Sequence, residues 1–533
     1  MDKDSQMRRK MPRRRGEEDM KVIRDNALWS VAAVALAVAL PAHAQVSEVE
    51  GPIPFGEDNP MFGPADAEGA NVGVNLKSFG YIEEEYFVTG SAAAYEHSPD
   101  GPRQRTNKLP YVTRIVIRRP ADPSEFSGVV HFEPAHPTHG WNGHWLVLRN
   151  YAMSRGDIYV FANVGDASQG WSGSPQYDPP ASPTGANVIL KWFNPERYEP
   201  LEWPDEEGIR YEMMADIARM LRSDDAENPL RQFDIEAMLV GGWSYTGSIQ
   251  RTFINEGFHE QLRLPDGGPI FDGYLIGVSS ELNEPGYLPL YNDEPFVPID
   301  SPRRRPRETD AKIIEFLTES EVELADNTLP YARPEVEGRR VYELAGVVHT
   351  DNLYGPTLAR KQPPIMAQLA ANGYQFATVS TVSVDQCDLP ASDIPEDAFV
   401  RGAVNALRQW VVDGTAPPES VFLEQQDGDL VRDGVGNARG GIRAAEFEAP
   451  LARYGRYDGT QYPGCRADNL YPSVFMVRDD LPTEELARLY QSPQDYLQRY
   501  DQQIDQLVGE RRLLEEDALR LKAIARERAA NGF

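Results

Sequence analysis

Short apolar runs rich in β-branched residues recur along the chain between turn signals and stretches of helical spacing. Residues 209–221 place apolar side chains at helical spacing directly before one of these runs. Buried strands that alternate with helices predict an α/β fold with a mostly parallel central sheet and helices on both faces. The predicted strands are YVTRIVIRR at 111–119, SGVVHFE at 127–133, DIYVFANV at 157–164, EAMLVGGW at 236–243, FDGYLIGV at 271–278, AKIIEFLT at 311–318 and RVYELAGVV at 340–348.

Other segments depart from this alternation. Residues 45–75 are rich in Gly, Pro and acidic residues, which predicts an extended N-terminal arm on a single domain that spans 76–533. Segments of low periodicity at about 282–310 and 350–480 are predicted to be insertions that form a lid and the pocket.

The tail from 483 to 530 is helical in composition and carries Leu507, Leu514 and Leu521 at heptad spacing. A run this short favours helices packed against their own domain, and a coiled-coil dimer is the alternative.

The N-terminus carries the pattern of a signal peptide. The apolar run WSVAAVALAVAL at 29–40 is short for a membrane span and is followed by the small-residue site Ala42-His43-Ala44. We expect residues 1–44 to be removed, which predicts a periplasmic or extracellular protein without a stable membrane anchor; an uncleaved anchor is the alternative. A start at Met20 would give a more usual leader, so we interpret residues 1–19 as a start-codon error.

Charge and cysteine content narrow the classes further. The net charge of −30 makes nucleic acid a poor partner and favours uncharged or cationic substrates over anionic ones. The two cysteines, Cys387 and Cys465, predict a disulfide in an oxidising compartment. Two separate thiols or a redox site are the alternatives, although C-x-x-C spacing is absent.

The strongest chemical signal is GGWSYTG at 241–247, which lies between a predicted strand and a predicted helix at 248–256. A serine on such a sharp strand-to-helix turn projects its hydroxyl above the sheet edge, which predicts Ser244 as a nucleophile. Thr246 stands where the G-x-S-x-G pattern has its last glycine. A structural serine in a Gly-rich turn is the alternative.

A serine nucleophile needs a base and an acid that follow it in the chain. Of the eight histidines only His259 and His349 lie beyond Ser244, and His259 comes too early, so His349 at the end of the last predicted strand is the predicted base. The acid is expected after the strand AKIIEFLT, where Glu319 is favoured and Glu321 is the alternative. Asp351 and Glu281 are weaker candidates.

The oxyanion that forms on attack needs backbone N–H donors. Tyr245, directly after the nucleophile, is the first predicted donor, and Ala135 or His136 in the loop after SGVVHFE is the second. The prolines of that loop have no N–H to give.

The same loop suggests a rival site, because His131, His136, His139 and His144 lie close together in the sequence and imidazoles are common metal ligands. Their spacing fits no H-E-x-x-H pattern. We therefore predict pocket-lining residues rather than a metal site.

The chain resembles the exported bacterial "alpha/beta hydrolase domain" group of the α/β-hydrolase superfamily. The resemblance rests on SGVVHFEPAHP, GGWSYTG, FDGYLIG, FLTESE, ELAGVVHTD and GGIRAAEFEAPLARYG. It implies the α/β-hydrolase fold, with Ser244 and His349 as the catalytic pair and Glu319 as the acid. Tyr245, where the group often has glutamine, and Pro134-Ala135-His136, where it often has bulkier residues and asparagine, imply a different pocket shape.

This resemblance implies a serine hydrolase that cleaves carboxylic esters of small molecules through an acyl-enzyme and needs no cofactor. An amide or peptide hydrolase with the same triad, or a catalytically silent binding protein on the same fold, are the alternatives.

Overall fold

A computed structural model describes residues 46–65, 74–136, 143–165, 186–279, 287–324, 336–347, 349, 371–372, 389–390, 392–456 and 476–531. All of them belong to one compact unit, Ala44–Phe533. The strands are β1 (Glu48–Glu50), β2 (Tyr81–Ala92), β3 (Tyr95–Glu96), β4 (Arg103–Gln104), β5 (Leu109–Pro120), β6 (Val129–Pro134), β7 (Ile158–Ala162), β8 (Ala237–Trp243), β9 (Gly273–Gly277), β10 (Lys312–Thr318), β11 (Arg339–Leu344), β12 (Gln425–Gln426), β13 (Asp429–Leu430), β14 (Ala452–Arg456) and β15 (Met476–Asp480).

Helices connect and cover these strands. They are α1 (Gly143–Arg155), α2 (Ala186–Phe193), α3 (Arg210–Leu221), α4 (Tyr245–Glu256), α5 (Phe258–Gln261), α6 (Glu319–Leu324), α7 (Glu396–Val412), α8 (Ala445–Glu448), α9 (Thr483–Leu489), α10 (Pro493–Gly509) and α11 (Glu515–Asn531). Short 3₁₀ helices occur at Leu76–Phe79, Pro123–Glu125, Glu207–Ile209 and Pro302–Arg304. Among the described residues, no helix is both long and apolar enough to cross a membrane.

The main sheet has nine strands in the order β1-β2-β5-β7-β6-β8-β9-β10-β11. The six neighbouring strands β7, β6, β8, β9, β10 and β11 pair in parallel. Strand β5 runs antiparallel to β2 and β7, and β1 runs antiparallel to β2. The seven predicted strands are found as β5 to β11. The prediction of an α/β fold with a mostly parallel sheet is therefore confirmed.

Strands β1 and β2 were not predicted as strands. Strand β2 carries three consecutive glutamates and does not look like an apolar run. Arginines of β5 and of the loop after α2 neutralise these carboxylates. The pairs are Glu83 with Arg118, Glu84 with Arg119, and Glu85 with Arg114 and Arg197. Strand β1 belongs to the predicted N-terminal arm and pairs with β2 as the edge of the sheet.

Side chains of the central strands alternate between two cores, one on each face of the sheet. On β8, Leu239 and Trp243 pack into the core formed with α1, α7, α10 and α11, whereas Met238 and Val240 pack into the core formed with α3, α4 and α5. Leu507, Leu514 and Leu521 are buried in the first of these cores. Helices of both faces thus hold β8 in place.

The described parts of the two predicted insertions contribute to these cores. Helix α7, within 350–480, packs against β9 and β10, and Leu288 and Leu290, within 282–310, are buried beside α3 and α4. Arg304 is fully buried, and its Nε donates to the carbonyl of Val297 at 2.9 Å. Isolated apolar side chains are enough to bury parts of these segments once neighbouring helices surround them. Their role as a lid stays a prediction.

Candidate active site

Ser244 occupies a strained turn between β8 and α4. Its backbone has φ 57° and ψ −119°, a conformation that costs energy for any residue with a Cβ. The amide of Ser244 donates to the carbonyl of Gly277 on β9 at 2.9 Å, and its own carbonyl accepts from Ser248 in the first turn of α4. These bonds hold the turn and present the side chain at the carboxyl edge of the sheet.

The surrounding small residues explain how the departure from G-x-S-x-G is tolerated. A Cβ on Gly242 would lie 2.5 Å from the carbonyl oxygen of Thr246, and one on Gly247 would lie 2.9 Å from that of Gly277. The Thr246 hydroxyl accepts from the amide of Trp243 at 2.7 Å and donates to its carbonyl at 3.0 Å. Thr246 therefore closes the turn at the position where the pattern has glycine.

His349 faces Ser244 across the end of the sheet. Its Nε2 lies 2.6 Å from Ser244 Oγ, and its Nδ1 lies 2.8 Å from Glu321 Oε1. The expected place at a strand end was wrong, because β11 ends at Leu344 and His349 lies in the loop beyond it. The side chain is about one-third exposed, so the imidazole can contact both Ser244 and solvent.

Two contacts that the sequence did not predict hold the backbone of His349. Its amide donates to Ser320 Oγ at 2.9 Å, and its carbonyl accepts from Trp243 Nε1 at 3.3 Å. Trp243 and Ser320 each stand beside a predicted triad residue in sequence, and that adjacency was the only available signal. Trp243 and Ser320 therefore both help to fix the backbone of His349.

The preference for Glu319 over Glu321 is corrected by the structure. Glu319 is fully buried and points away from the imidazole, where it accepts from the amide of Gly346 at 2.7 Å and pairs with Arg432 at 2.8 Å. Glu321 contacts His349 instead. Chain order places the candidate acid after β10 but does not distinguish two glutamates in one helical turn, whereas the direction of each side chain in the first turn of α6 decides which one contacts His349.

Glu321 is held as an ionised carboxylate. Its Oε2 accepts from the amide of Thr318 at 3.0 Å and from the Thr318 hydroxyl, and its Oε1 accepts from Ser320 Oγ at 3.0 Å. Burial would raise the pKa of Glu321, but the hydrogen bond and charge of His349, together with the Thr318 bonds, hold that pKa below its ordinary value. A negative charge therefore faces His349 Nδ1.

The predicted oxyanion donors differ in whether their amides already have an acceptor. Tyr245 begins α4, and the first amides of a helix have no acceptor within that helix. The Ala135 prediction is wrong, because its amide donates to the carbonyl of Ala162 at 2.7 Å as an extension of the β6–β7 pairing. The ring of His136 lies 5.8 Å from the ring of Tyr245, beside the nucleophile turn.

Two members of the histidine cluster, His131 and His144, line one small cavity, but each has its own surroundings. His131 Nε2 pairs with Asp157 at 2.8 Å, and His144 is buried against Trp243. Burial, with a smaller contribution from the nearby His131, lowers the pKa of His144 to about 3, so it is neutral. No group of three or more potential metal ligands occurs among the described residues, which do not include His139.

Several further candidates lie outside the described residues. They are the predicted signal segment 1–44, the alternative acids Asp351 and Glu281, and both cysteines of the predicted disulfide, Cys387 and Cys465. Those assignments stay predictions.

Glu133, at the end of β6, gives the folding stability a pH dependence. Its carboxyl group accepts from the Tyr159 hydroxyl and from the His144 amide. Burial raises the pKa of Glu133 from 4.5 to about 7, because these bonds only partly compensate for lost hydration. The folded chain therefore keeps this proton to higher pH than the unfolded chain, and the corresponding stability is lost as pH rises through about 7.

We expect Glu133→Gln to unfold at higher urea concentration than the wild type at pH 8, with little difference at pH 4.5. A neutral amide avoids the ionisation cost, which is on the order of 3 kcal/mol for a shift of this size. The matched control is Glu125→Gln, since Glu125 is exposed and its replacement should change neither curve. Equal stability of Glu133→Gln and wild type at pH 8 would refute the raised pKa.

Comparison with known proteins agrees with this architecture. The model of the family described as "Alpha/beta hydrolase domain" matches residues 49–523. A comparison with curated proteins finds no match.

Solved structures similar to the chain include several esterases at low identity. The esterase Est22 is 11% identical, with a TM-score of 0.30, over 57% of this chain and 84% of that one. An esterase from Pyrobaculum calidifontis is 14% identical, with a TM-score of 0.25, over 56% and 87% of the two chains. A putative dienelactone hydrolase from Klebsiella pneumoniae is 11% identical, with a TM-score of 0.25, over 53% and 98%.

The family match covers the main sheet, the turn that carries Ser244 and most of the C-terminal helices. The predicted α/β-hydrolase fold is confirmed, and the chain belongs to the alpha/beta hydrolase domain family.

Proposed function

We propose that the protein is a serine hydrolase that cleaves carboxylic esters through an acyl-enzyme intermediate. The observation that carries the proposal is the continuous hydrogen-bonded chain from Glu321 through His349 to Ser244, with Ser244 on a strained turn. A serine hydroxyl becomes a nucleophile when a neighbouring base takes its proton. The order of nucleophile, acid and base along the chain is also that of the fold.

In the proposed reaction, Ser244 Oγ attacks the ester carbonyl carbon while His349 Nε2 takes the hydroxyl proton. The negative charge that develops on the carbonyl oxygen is stabilised by the Tyr245 amide, and the ionised Glu321 stabilises the imidazolium. Collapse breaks the ester bond, and His349 gives its proton to the departing alcohol. A water molecule then gives a proton to His349 and attacks the acyl carbon. The bond from that carbon to Ser244 Oγ breaks, His349 returns the proton to Oγ, and the carboxylic acid leaves.

The proposed substrates are small esters that are uncharged or cationic, because the net charge of −30 repels anions in bulk solution. We further propose that the protein acts outside the cytoplasm, after removal of the leader that the sequence of residues 29–44 predicts. Amide or peptide hydrolysis would use the same triad, and esters are favoured because an alcohol is the easier leaving group.

The decisive experiment is labelling of purified protein with a fluorophosphonate probe, followed by peptide mapping. We expect one modified residue, Ser244, because phosphonylation requires a serine that a neighbouring base activates. The label should be absent from Ser244→Ala and His349→Ala.

The matched control is Ser248→Ala, which removes a hydroxyl in the first turn of α4 that bonds to Ser279 at 2.8 Å and, at 3.4 Å, to the carbonyl of Ser244, but not to the imidazole. That variant should keep the label. Folded protein that takes no label would favour a catalytically silent binding role, and labelled protein that hydrolyses amides but not esters would reassign the substrate.

A further inference from the structure

The side chain of Tyr245 is attached to the neighbouring helix by a buried guanidinium. Arg210, the first residue of α3, donates from a terminal nitrogen to the Tyr245 hydroxyl at 2.6 Å. Both side chains are almost fully buried, with Arg210 1% and Tyr245 5% exposed. The residue whose amide begins α4 is therefore fixed at both its backbone and its side chain.

Arg210 is itself held firmly. Its Nε donates to the carbonyl of Glu207 at 2.7 Å, and a terminal nitrogen pairs with the Glu207 carboxylate. Burial works against the charged form of Arg210, but Tyr245 and Glu207 raise its pKa above the usual value, so the guanidinium stays charged. A planar group with several fixed donors holds its partners in a defined geometry.

This chain of contacts extends to the 287–292 segment. The amide of Glu207 donates to Asn292 Oδ1 at 2.8 Å, and the hydroxyl of Tyr211 lies 3.3 Å from the carbonyl of Leu288. The start of α3 is thus anchored on a loop that packs into the core. The position of Tyr245 relative to the sheet is consequently set by three separate parts of the chain.

We propose that Arg210 and the hydroxyl of Tyr245 act as positioning groups for the oxyanion amide. The inference rests on the proposed function and goes beyond it, since neither side chain takes part in the triad. An oxyanion donor stabilises the transition state only when its N–H points at the developing charge, and small displacements are costly. Fixing the ring of Tyr245 from α3 restricts rotation of the first peptide unit of α4.

The test is Tyr245→Phe, which removes one oxygen and keeps the ring. We expect kcat for an uncharged ester to fall about 10-fold, because loss of a whole donor costs roughly 10²- to 10³-fold and here the donor is only loosened. KM should change less than about 2-fold, since the effect appears in the transition state. The rate of phosphonylation by the fluorophosphonate probe should fall by a similar factor.

The matched control is Tyr500→Phe on α10, far along the chain from the triad. The hydroxyl of Tyr500 also donates to a buried partner, Glu446 Oε1 on α8, at 2.8 Å. This control should lower thermal stability without changing kcat. A Tyr245→Phe enzyme that loses stability like this control and keeps wild-type kcat and labelling rate would overturn the proposal.

A second variant, Arg210→Lys, keeps the charge and loses the planar donor geometry. We expect it to lower kcat by a similar factor, and the double variant with Tyr245→Phe should be no worse than either single change, because the two groups act as one unit. If the two changes lowered kcat by the product of their separate factors, the two groups would act independently, which would contradict a role of the Arg210–Tyr245 hydrogen bond. The proposed function is tested separately. Absence of label at Ser244 in the wild-type protein would contradict the proposed hydrolase, whereas the positioning role is judged only from differences between the wild type and its variants.

Discussion

Replacing Glu321 by glutamine is expected to lower kcat for ester hydrolysis by about 10³- to 10⁴-fold with little loss of stability. The amide of Thr318 is a fixed donor to Oε2, so the glutamine must place its oxygen there and turn its NH₂ toward His349. That NH₂ requires an unprotonated Nδ1, and the proton then sits on Nε2. An imidazole in this tautomer cannot take the proton of Ser244.

The measurement is kcat from pH 6 to 9 on one uncharged ester, with Glu319→Gln as the matched control. Glu319 lies on the same turn and is equally buried, but it holds Gly346 and Arg432 rather than the imidazole. We expect this control to lose stability, on the order of 1–3 kcal/mol, and to keep kcat within about 10-fold. A greater loss of kcat in Glu319→Gln than in Glu321→Gln would return the role of acid to Glu319.

Replacing Glu85 by glutamine is expected to destabilise the protein by about 3–5 kcal/mol. Glu85 on β2 pairs with both Arg114 and Arg197 and accepts from the Tyr198 hydroxyl at 3.0 Å. All three charged side chains are at most 2% exposed. Removal of this carboxylate takes away the direct ion-pair partner of two buried guanidinium groups, and hydration cannot replace it.

Urea unfolding measures this effect as a lower midpoint, with the control Glu96→Gln made in parallel. Glu96 pairs with Arg103 at the surface, where the arginine side chain is 72% exposed. Solvent screens such pairs, so this change should cost less than about 1 kcal/mol. Equal midpoints for the two variants would show that burial of the Glu85 cluster does not govern its contribution.

Much of the fold could be predicted because the central strands are buried on both faces. Strands β5 to β11 each contain a short run rich in apolar and β-branched residues, and the predicted helix at 209–221 appears as α3. Strand β2 escaped prediction because its three glutamates are neutralised by arginines that are distant in sequence. Cross-strand charge pairs have no local signature, so a one-dimensional pattern does not reveal them.

The candidate site, like the fold, could be predicted from the sequence only in part. Chemistry and chain order by themselves pointed to Ser244 and His349, because few histidines follow the serine and the nucleophile turn has a local pattern of small residues. Which of Glu319 and Glu321 contacts His349 was decided by the tertiary structure, since both follow β10 and only side-chain direction separates them.

The sequence also did not show that the amide of Ala135 is already bonded, because its acceptor, the carbonyl of Ala162, belongs to a neighbouring strand. The bridge from Arg210 to Tyr245 joins two helices that start at the same edge of the sheet and are separated by a whole strand in the sequence. Sequence therefore determined which elements form and which residue types carry the chemistry. Packing of those elements decided which polar groups meet, because a hydrogen bond depends on distances of about 3 Å that local pattern does not encode.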